Sequence, residues 1–370
     1  MKFTCEKNAL VSAVSVASRT VAQKSTIPAL EGIYIRAGVK LTLSGYNLET
    51  GITISVDAEI QQTGACIMPS RLFFDIIRKL PDDTVSISVD EKFKVSIRGG
   101  ISSFTITAMS SEDYPELPEV ESDKGISLPQ NELKAMIGGT SFAVSENQAR
   151  PIHTGCLFEV EDTSITVVAV DGYRLALRRW KSEEPIGRTL KFVVPAAALK
   201  EAEKILGDTD DPCTFFLGSK HILFTIGEAT LVCRLLEGEF LDWRRVLPQN
   251  QPGKLAVNVA KMTDSIERVG LIISEKLKSP VRCKFGENTA DFRSVSTIGE
   301  AHDVCQIAGD GQDMEIGFNC RYLLDALRAI PDAECSLELI NGLSPIVMNP
   351  CDGSERYSYM VLPVRLKAGE

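Results

Sequence analysis

The sequence has few of the residues from which catalytic and metal sites are built. It contains three histidines, at positions 153, 221 and 302, and none lies at a metal-binding spacing. The Gly-x-Ser-x-Gly, Gly-x-Gly-x-x-Gly and Gly-x4-Gly-Lys-Ser/Thr patterns of hydrolases and nucleotide-binding enzymes do not occur. We therefore predict a protein that is not an enzyme and that binds no cofactor and no metal ion.

Long apolar runs are also absent. No stretch approaches the ~18–20 apolar residues that a membrane-spanning helix needs. Residues 1–7 carry no apolar core before a small-residue cleavage site, so we expect no secretory signal and no membrane association. The ten cysteines are scattered, with no Cys-x-x-Cys, and most have apolar neighbours. This pattern favours reduced thiols and a cytoplasmic location.

An excess of basic residues is missing as well. The chain has 40 Lys and Arg against 50 Asp and Glu, a net charge of −10. Proteins that bind nucleic acid by adhesion present a basic surface, because neutralised phosphates supply most of the affinity. A function on DNA must therefore explain how an acidic protein holds a polyanion.

The sequence does contain a long internal repeat. A segment at residues 69–82 recurs in outline at 195–208 and 319–332, which are 126 and 124 residues apart. A second landmark, a proline between a helical stretch and an apolar strand, has a similar period and falls at Pro28, Pro151 and Pro280. A period near 125 residues is long enough for each copy to be a domain with its own core.

Each copy shows the order helix, strands, helix, strands. Apolar residues at helical spacing predict the first helices at residues 8–21, 131–144 and 260–273. Pro-rich and acidic segments predict domain boundaries near residues 125 and 252. We therefore predict an α+β protein of three repeated domains, residues 1–125, 126–252 and 253–370, each with two helices packed on antiparallel sheets.

The second helix of each copy pairs an apolar face with a polar stripe. In the first copy the predicted buried positions are Leu72, Phe73, Ile76 and Leu80. The stripes, at spacing i, i+4, i+7, are Arg71-Asp75-Arg78, Ala197-Glu201-Lys204 and Arg321-Asp325-Arg328. Such a stripe is either a solvated face held by ion pairs or a surface that attracts a polyanion weakly, without reading bases.

Four motifs, in order, carry a resemblance to a known family. Along the chain they are the linker Tyr114-Pro115-Glu116-Leu117-Pro118, Asp171-Gly172-Tyr173-Arg174-Leu175, the stretch Arg244-Arg245-Val246-Leu247-Pro248, and the terminal Met360-Val361-Leu362-Pro363-Val364-Arg365-Leu366. With the threefold repeat, the chain resembles the bacterial DNA polymerase III beta subunit, the sliding clamp, over essentially its whole length.

The resemblance implies a head-to-tail homodimer whose six domains form a closed ring around duplex DNA, with this chain as half of the ring. Such a ring is a processivity factor that tethers the replicative polymerase topologically. High affinity for DNA is then unnecessary, and a few basic side chains suffice for weak, non-sequence-specific contact. Encirclement thus accounts for the negative net charge.

The resemblance also implies a peptide-binding pocket between the second and third domains. Its expected partners are the DNA polymerase III alpha subunit, the clamp loader delta subunit, and other DNA polymerases and repair proteins. The implied pocket residues are His153, Gly172, Tyr173, Arg174, Leu175, Leu241, Arg245, Val246, Leu343, Pro345, Met360, Val361, Leu362, Pro363, Val364, Arg365 and Leu366.

Two further residue sets follow from the resemblance and from the stripes. The expected DNA-binding residues are Lys24, Arg71, Arg78, Asn147, Pro151, Ile152 and Lys200. The expected dimer interface comprises Phe104, Thr105 and Ile106 of one protomer and Ile272 and Ile273 of its partner.

The sequence departs from the family pattern at a few positions. His153 replaces a common leucine at the pocket, Lys24 replaces a common arginine, and the chain continues through residues 367–370.

Several alternatives remain open at this stage. Asp171-Gly172 is also a two-residue hairpin turn, and the terminal segment is also a core or edge strand. Asp171, Arg174 and Arg245 resemble an acid–base group, although no nucleophile accompanies them. A ring or scaffold protein without a role on DNA is a further reading.

Overall fold

The computed structural model describes residues 1–121, 124–248, 253–273 and 279–366. The chain divides into two compact units. The first contains Met1–Lys134 and Ala197–Leu235, and the second contains Ala135–Ala196 and the residues from Leu236 onward. Among the described residues, no helix is both long and apolar enough to cross a membrane. The second predicted domain boundary, near residue 252, lies outside the described residues.

The secondary structure repeats three times along the chain. In the first copy, the helices are α1 (Lys7–Ala17) and α2 (Ser70–Lys79), and the strands are β1 (Lys2–Glu6), β2 (Gly32–Ala37), β3 (Leu41–Tyr46), β4 (Thr50–Val56), β5 (Glu59–Gln62), β6 (Gly64–Pro69), β7 (Thr84–Val89), β8 (Lys94–Gly99) and β9 (Ser102–Thr107).

The described parts of the second and third copies repeat this pattern with eight and six strands instead of nine. In the second, the helices are α3 (Gln130–Gly138) and α4 (Ala196–Ile205), and the strands are β10 (Ile126–Pro129), β11 (Gly155–Glu161), β12 (Ser164–Val170), β13 (Arg174–Lys181), β14 (Leu190–Pro195), β15 (Pro212–Leu217), β16 (His221–Ile226) and β17 (Ala229–Arg234). In the third, they are α5 (Val259–Gly270), α6 (Cys320–Arg328), β18 (Gly253–Asn258), β19 (Val281–Ser296), β20 (Gly299–Phe318), β21 (Glu334–Leu339), β22 (Ile346–Pro350) and β23 (Tyr357–Val361). Each copy begins with a strand (β1, β10 or β18) before its first helix, which the predicted order of helix, strands, helix, strands did not include.

Two antiparallel sheets lie in the part of the first unit that the structure describes. Five strands pair in the order β5-β1-β7-β8-β9, and eight pair in the order β10-β15-β16-β17-β4-β3-β2-β6. In the eight-stranded sheet β17 pairs with β4, so strands of the second copy continue a sheet of the first. Helices α1 and α2 pack together over a core that includes Phe3, Leu10 and Phe73.

The described residues of the second unit form one antiparallel sheet of ten strands. Its order is β14-β11-β12-β13-β23-β22-β21-β18-β20-β19. Strand β13 of the second copy pairs with β23 of the third, with Arg174 opposite Val361. The last strand of the described residues, β23, is therefore a central strand, which brings residues about 180 positions apart in the sequence onto one sheet.

The predicted first helices are confirmed in position but end early. Helix α1 ends at Ala17 and α3 ends at Gly138, each followed by a short 3-10 turn. Beyond α1 the Ser18 hydroxyl donates to the Val14 carbonyl at 2.6 Å, and beyond α3 the Thr140 hydroxyl donates to the Met136 carbonyl at 2.7 Å. The Thr140 hydroxyl satisfies a carbonyl that a longer helix would bond internally, whereas the Val14 carbonyl also accepts from the Ser18 amide.

The second helices have the predicted two-sided character, with one exception. Phe73, Leu199 and Leu323 are fully buried at equivalent positions of α2, α4 and α6. Leu72, predicted to be buried, is 50% exposed. It lies about 100° around the helix from Phe73, outside the arc that Phe73, Ile76 and Ile77 fill. The polar stripe of α2 lies on the side of the helix opposite the buried arc.

Candidate functional site

One face of the ten-stranded sheet carries a compact apolar cluster. Its ten buried members come from β11, β12, β13, β14, β22, β23 and the segment 240–247, which we call the connector. They are Leu157, Val168, Val170, Leu175, Leu177, Val193, Phe240, Trp243, Val347 and Met360. The strand members share a face because alternate residues of a strand point the same way. We call this set the apolar cluster.

Less buried apolar residues pack at the edge of the apolar cluster. They are Ile152, Leu236, Val246, Leu247 and Leu362. Leu241 of the connector, Leu343 of the loop before β22, and Val364 are exposed large apolar side chains of the same unit. Leu343 is 79% exposed, and its neighbour Pro345 is half-buried. A surface of this composition suits an apolar ligand with few polar contacts.

The hairpin between β12 and β13 forms the predicted two-residue turn. The Asp171 amide donates to the Arg174 carbonyl at 3.3 Å, and Gly172 has φ +90°, a conformation that favours glycine. The Asp171 carboxylate accepts from the amides of Tyr173 and Arg174 at 2.9 and 3.0 Å. The turn leaves Tyr173 61% exposed.

Arg174 follows the same turn but is 7% exposed. Its guanidinium donates to the carboxylates of Asp171 at 2.9 Å and Asp325 at 2.6 Å. It also donates to the Phe142 carbonyl at 2.6 Å and lies 4.4 Å from the centroid of the Tyr322 ring. The guanidinium is therefore engaged with the protein itself, and it ties β13 to helix α6 of the third copy.

Tyr173 and Tyr322 stack beside this ion pair, with their ring centroids 6.0 Å apart. The amide of Leu362 donates to the Tyr173 carbonyl at 2.8 Å, so the last described segment of the chain is held against the hairpin. Two residues further on, the Val364 amide donates to the Gly317 carbonyl at 2.8 Å. Hairpin, α6 and terminal segment thus meet at one place.

The terminal motif is divided between two roles. Met360 and Val361 are buried in β23, and Met360 belongs to the apolar cluster. Val361 alternates with Met360 and points to the opposite face of the sheet, away from the cluster. Leu362, Pro363, Val364, Arg365 and Leu366 follow the strand and are half-buried or exposed. Residues 367–370 lie outside the described residues.

His153 lies beside the apolar cluster, with its ring 5.3 Å from that of Phe240 in an edge-to-face arrangement. Burial and the nearby positive charge of Arg150 lower the pKa of His153. Within the described chain its Nε2 atom is buried and has no hydrogen-bond partner. A neutral imidazole packed on an aromatic ring is compatible with the apolar surroundings.

The connector supplies residues that the sequence analysis missed. Phe240 and Trp243 are each buried in the apolar cluster, whereas Leu241 and Arg245, which the sequence analysis named, are exposed. Two aromatic residues beside Leu241, Val246 and Leu247 in a segment predicted to be a linker were an available signal, because linkers seldom carry large apolar side chains without burying them.

The predicted DNA-contacting residues are solvent-accessible. Ile152 is half-buried and packs at the edge of the apolar cluster. The remaining six are exposed: Lys24, Arg71, Arg78, Asn147, Pro151 and Lys200.

Each acidic residue of the stripes forms an ion pair with a basic side chain, on the same helix for two of them and on β13 for the third. The pairs are Asp75 with Arg78 at 3.5 Å, Glu201 with Lys204 at 2.7 Å, and Asp325 with Arg174.

The predicted dimer residues occupy accessible positions in each unit. Strand β9 is the last strand of the five-stranded sheet, and it exposes Phe104 and Thr105 while Ile106 is half-buried. In the second unit, Ile272 and Ile273 follow α5, half-buried beside an exposed Leu271. An edge strand with exposed apolar side chains offers unpaired backbone groups to another chain.

The three repeats, the open antiparallel sheets and the apolar cluster shared by the second and third copies define a clamp protein of DNA replication. Family models of the DNA polymerase III beta subunit match the chain in order: the N-terminal domain at residues 1–118, the central domain at 127–242 and the C-terminal domain at 244–365. The chain belongs to the DNA polymerase III beta subunit family, the sliding clamps, and acts as a non-catalytic processivity factor.

Individual relatives agree over the full length. The chain is 32% identical over 381 residues to the beta sliding clamp of Staphylococcus epidermidis, covering 99% of both chains. Its fold matches the crystal structure of the DNA polymerase sliding clamp from Bacillus subtilis with a TM-score of 0.94 at 30% identity. A DNA polymerase III beta subunit structure from Eubacterium rectale matches with a TM-score of 0.93 at 32% identity. Each structure match covers 99% of this chain and 100% of the other.

Proposed function

We propose that two copies of the chain close head to tail into a ring around duplex DNA in the cytoplasm. The domains are residues 1–125, 126–252 and 253–370. The apolar cluster and its rim bind short peptides of the polymerase alpha subunit, the clamp loader delta subunit and other replication and repair proteins. One observation carries the proposal: a single apolar face joins the second copy, the connector and the third copy, and partly buried apolar side chains pack against it.

Peptide binding fits the chemistry of this face. The apolar cluster supplies burial for two or three apolar side chains, each contributing about 1.5–3 kcal/mol when removed from water. Exposed Tyr173 and Arg245 offer polar contacts at the rim, and Arg174 holds the rim in place. An apolar floor with few polar positions favours an extended segment with alternating apolar residues.

DNA contact fits the stripes on α2, α4 and α6. Each stripe presents one or two basic side chains and also contains one carboxylate. Such surfaces give weak, salt-sensitive attraction with no base readout. Retention on DNA must then come from closure of the ring.

Topological retention is tested on circular DNA. The dimer, loaded onto nicked circular plasmid by a bacterial clamp loader, is expected to remain bound through gel filtration at a salt concentration that removes non-specific contacts. Cutting the circle once should release essentially all of it, since a ring slides off a free end. Equal retention on circular and linear DNA would show adhesive binding and contradict encirclement.

The dimer interface is tested by truncating its apolar contacts. Ile272→Ala with Ile273→Ala is expected to weaken dimerisation by at least tenfold, because each side chain contributes about 1.5–3 kcal/mol if it becomes buried in the dimer. Light scattering over a dilution series measures the shift to monomer. The matched control is Val39→Ala, a fully exposed apolar residue in the β2–β3 turn. A double variant that stays dimeric at all concentrations refutes the assignment.

A further inference from the structure

A carboxylate is buried where the connector crosses the ten-stranded sheet. Glu159 lies in β11, opposite Thr166 of β12 and Lys191 of β14, and is 7% exposed. Placing an ionised carboxylate there is unfavourable unless charged and hydrogen-bonding partners compensate. The role of Glu159 can therefore be inferred from the groups that its carboxylate binds.

Two of its partners come from the connector. The indole Nε1 of Trp243 donates to Glu159 Oε2 at 3.1 Å, and Nη1 of Arg244 donates to the same oxygen at 2.7 Å. Nζ of Lys191 lies 3.3 Å from Oε1. The Arg244 guanidinium also lies 4.2 Å from the centre of the Trp243 ring. Glu159 therefore contacts two consecutive connector side chains, of which Arg244 also donates from Nη2 to Glu161 Oε1 at 3.2 Å, while Trp243 is bound through Glu159.

The carboxylate lies directly next to the apolar cluster. Leu157 and Glu159 are two residues apart in β11 and therefore point to the same face of the sheet. Leu157 belongs to the apolar cluster, and so does Trp243. The Trp243 ring thus contributes to the apolar floor while its single polar atom is bound by Glu159. This arrangement fixes the ring in one orientation, because only one side of the indole carries a donor.

The rest of the connector depends on Trp243 through the backbone. The amides of Val246 and Leu247 both donate to the Trp243 carbonyl, at 3.1 and 3.2 Å. The side chains of both residues pack against the apolar cluster. Fixing Trp243 therefore fixes the part of the connector that borders the cluster.

We propose that Glu159 is a positioning residue for peptide binding: it holds the connector in the conformation that the peptide needs. This inference rests on the proposed function of the apolar cluster. A pre-formed connector reduces the ordering that the peptide must impose on binding. Releasing it weakens the complex mainly by faster dissociation, while the sheet, which has many other contacts, stays folded.

The test uses the full-length homodimer with Glu159→Gln. The probe is a synthetic, fluorescently labelled peptide of the clamp-binding segment of a DNA polymerase III alpha subunit. We expect the Kd to rise about tenfold, with the dissociation rate accounting for most of the change, since a neutral amide holds Arg244 and Trp243 less strongly. Glu159→Ala, which removes the acceptor, should raise the Kd further.

The matched control is Glu338→Gln. Glu338 lies in β21 of the same sheet, opposite Val347 of the apolar cluster, but its carboxylate pairs with Lys254 of β18 at 3.1 Å and not with the connector. Its peptide Kd should stay within about twofold of the unsubstituted protein. Thermal unfolding of Glu159→Gln and Glu338→Gln verifies that each variant is folded at the assay temperature. The comparison of these two variants therefore decides the test even if Glu159→Ala fails to fold.

A spectroscopic signature separates positioning from general destabilisation. The chain has two tryptophans, so Trp180→Phe leaves Trp243 as the single reporter. Glu159→Gln in this background should shift Trp243 emission to longer wavelength and lower its anisotropy. A Kd unchanged by Glu159→Gln overturns the inference, whether or not the emission shifts. If the unsubstituted homodimer does not bind the peptide at all, the proposed function itself fails.

Discussion

Ending the chain after Val361 is expected to abolish peptide binding while leaving the protein folded. The truncation removes Leu362, which packs against the apolar cluster and bonds to the Tyr173 carbonyl, and Val364, which bonds to Gly317. Strand β23 remains complete between β13 and β22, so the ten-stranded sheet keeps its pairing. We expect the Kd of a labelled polymerase alpha-subunit peptide to rise by more than about 100-fold, as several apolar contacts are lost together.

The matched control ends the chain after Leu366, which removes only residues 367–370. This variant should bind the peptide within about twofold of the full-length chain, measured by fluorescence anisotropy. Light scattering should show that both truncated proteins remain dimers, because neither change touches β9 or the residues after α5. Peptide affinity that survives removal of Leu362 onward would show that the peptide binds elsewhere.

The choice of Val361 as the end point depends on information that the sequence does not contain. The alternation of Met360, Val361 and Leu362 predicts a strand but leaves open whether it is central or at an edge. The structure places β23 in the middle of the sheet, with Met360 and Val361 buried. A deletion starting at Met360 would remove core residues and confuse loss of binding with unfolding.

Local pattern predicted the repeated architecture well, because the relevant signals lie within about 15 residues of one another. The positions of α1, α2, α5 and α6, and the burial of Phe73 and Leu323, follow from apolar spacing and helix-end residues. At the early end of α3, the Thr140 hydroxyl takes the place of a backbone amide on the Met136 carbonyl, a competition that periodicity does not report.

The candidate site was less predictable because its parts are distant in the sequence. The resemblance named Arg174 as a pocket residue, but its burial depends on Asp325, 151 positions away. Glu159 reads as an ordinary polar residue of a strand, and only the fold brings Trp243 and Arg244 to it. Long-range pairing of this kind leaves no periodic signal along the chain.

Arg174→Met is expected to destabilise the protein by about 3 kcal/mol, the lower end of the range for breaking a buried ion pair. Methionine approximately fills the space of the arginine stem but leaves the carboxylates of Asp171 and Asp325 without their shared cation. It also removes the donor to the Phe142 carbonyl. Urea unfolding at fixed protomer concentration measures the loss, since dimerisation contributes to apparent stability.

Arg321→Met provides the matched control. Arg321 also approaches Asp325, at 3.9 Å, but it is exposed, and exposed pairs contribute about 0–1 kcal/mol. The two substitutions remove the same charge from the surroundings of the same carboxylate, so a large difference between them isolates the effect of burial. Equal unfolding midpoints for Arg174→Met and the unsubstituted protein would contradict the claim that the buried ion pairs of Arg174 stabilise the fold.

A double-mutant cycle assigns the loss to the pair. Asp325→Asn removes one of the two stranded charges, so Arg174→Met with Asp325→Asn should be less destabilised than the sum of the single changes, by about 1–3 kcal/mol. Peptide affinity need not recover with stability, because Arg174 also lies against the ring of Tyr322, which stacks on Tyr173 at the rim. A double variant that regains stability but still binds peptide poorly would show that the arginine shapes the binding surface as well as supporting the fold.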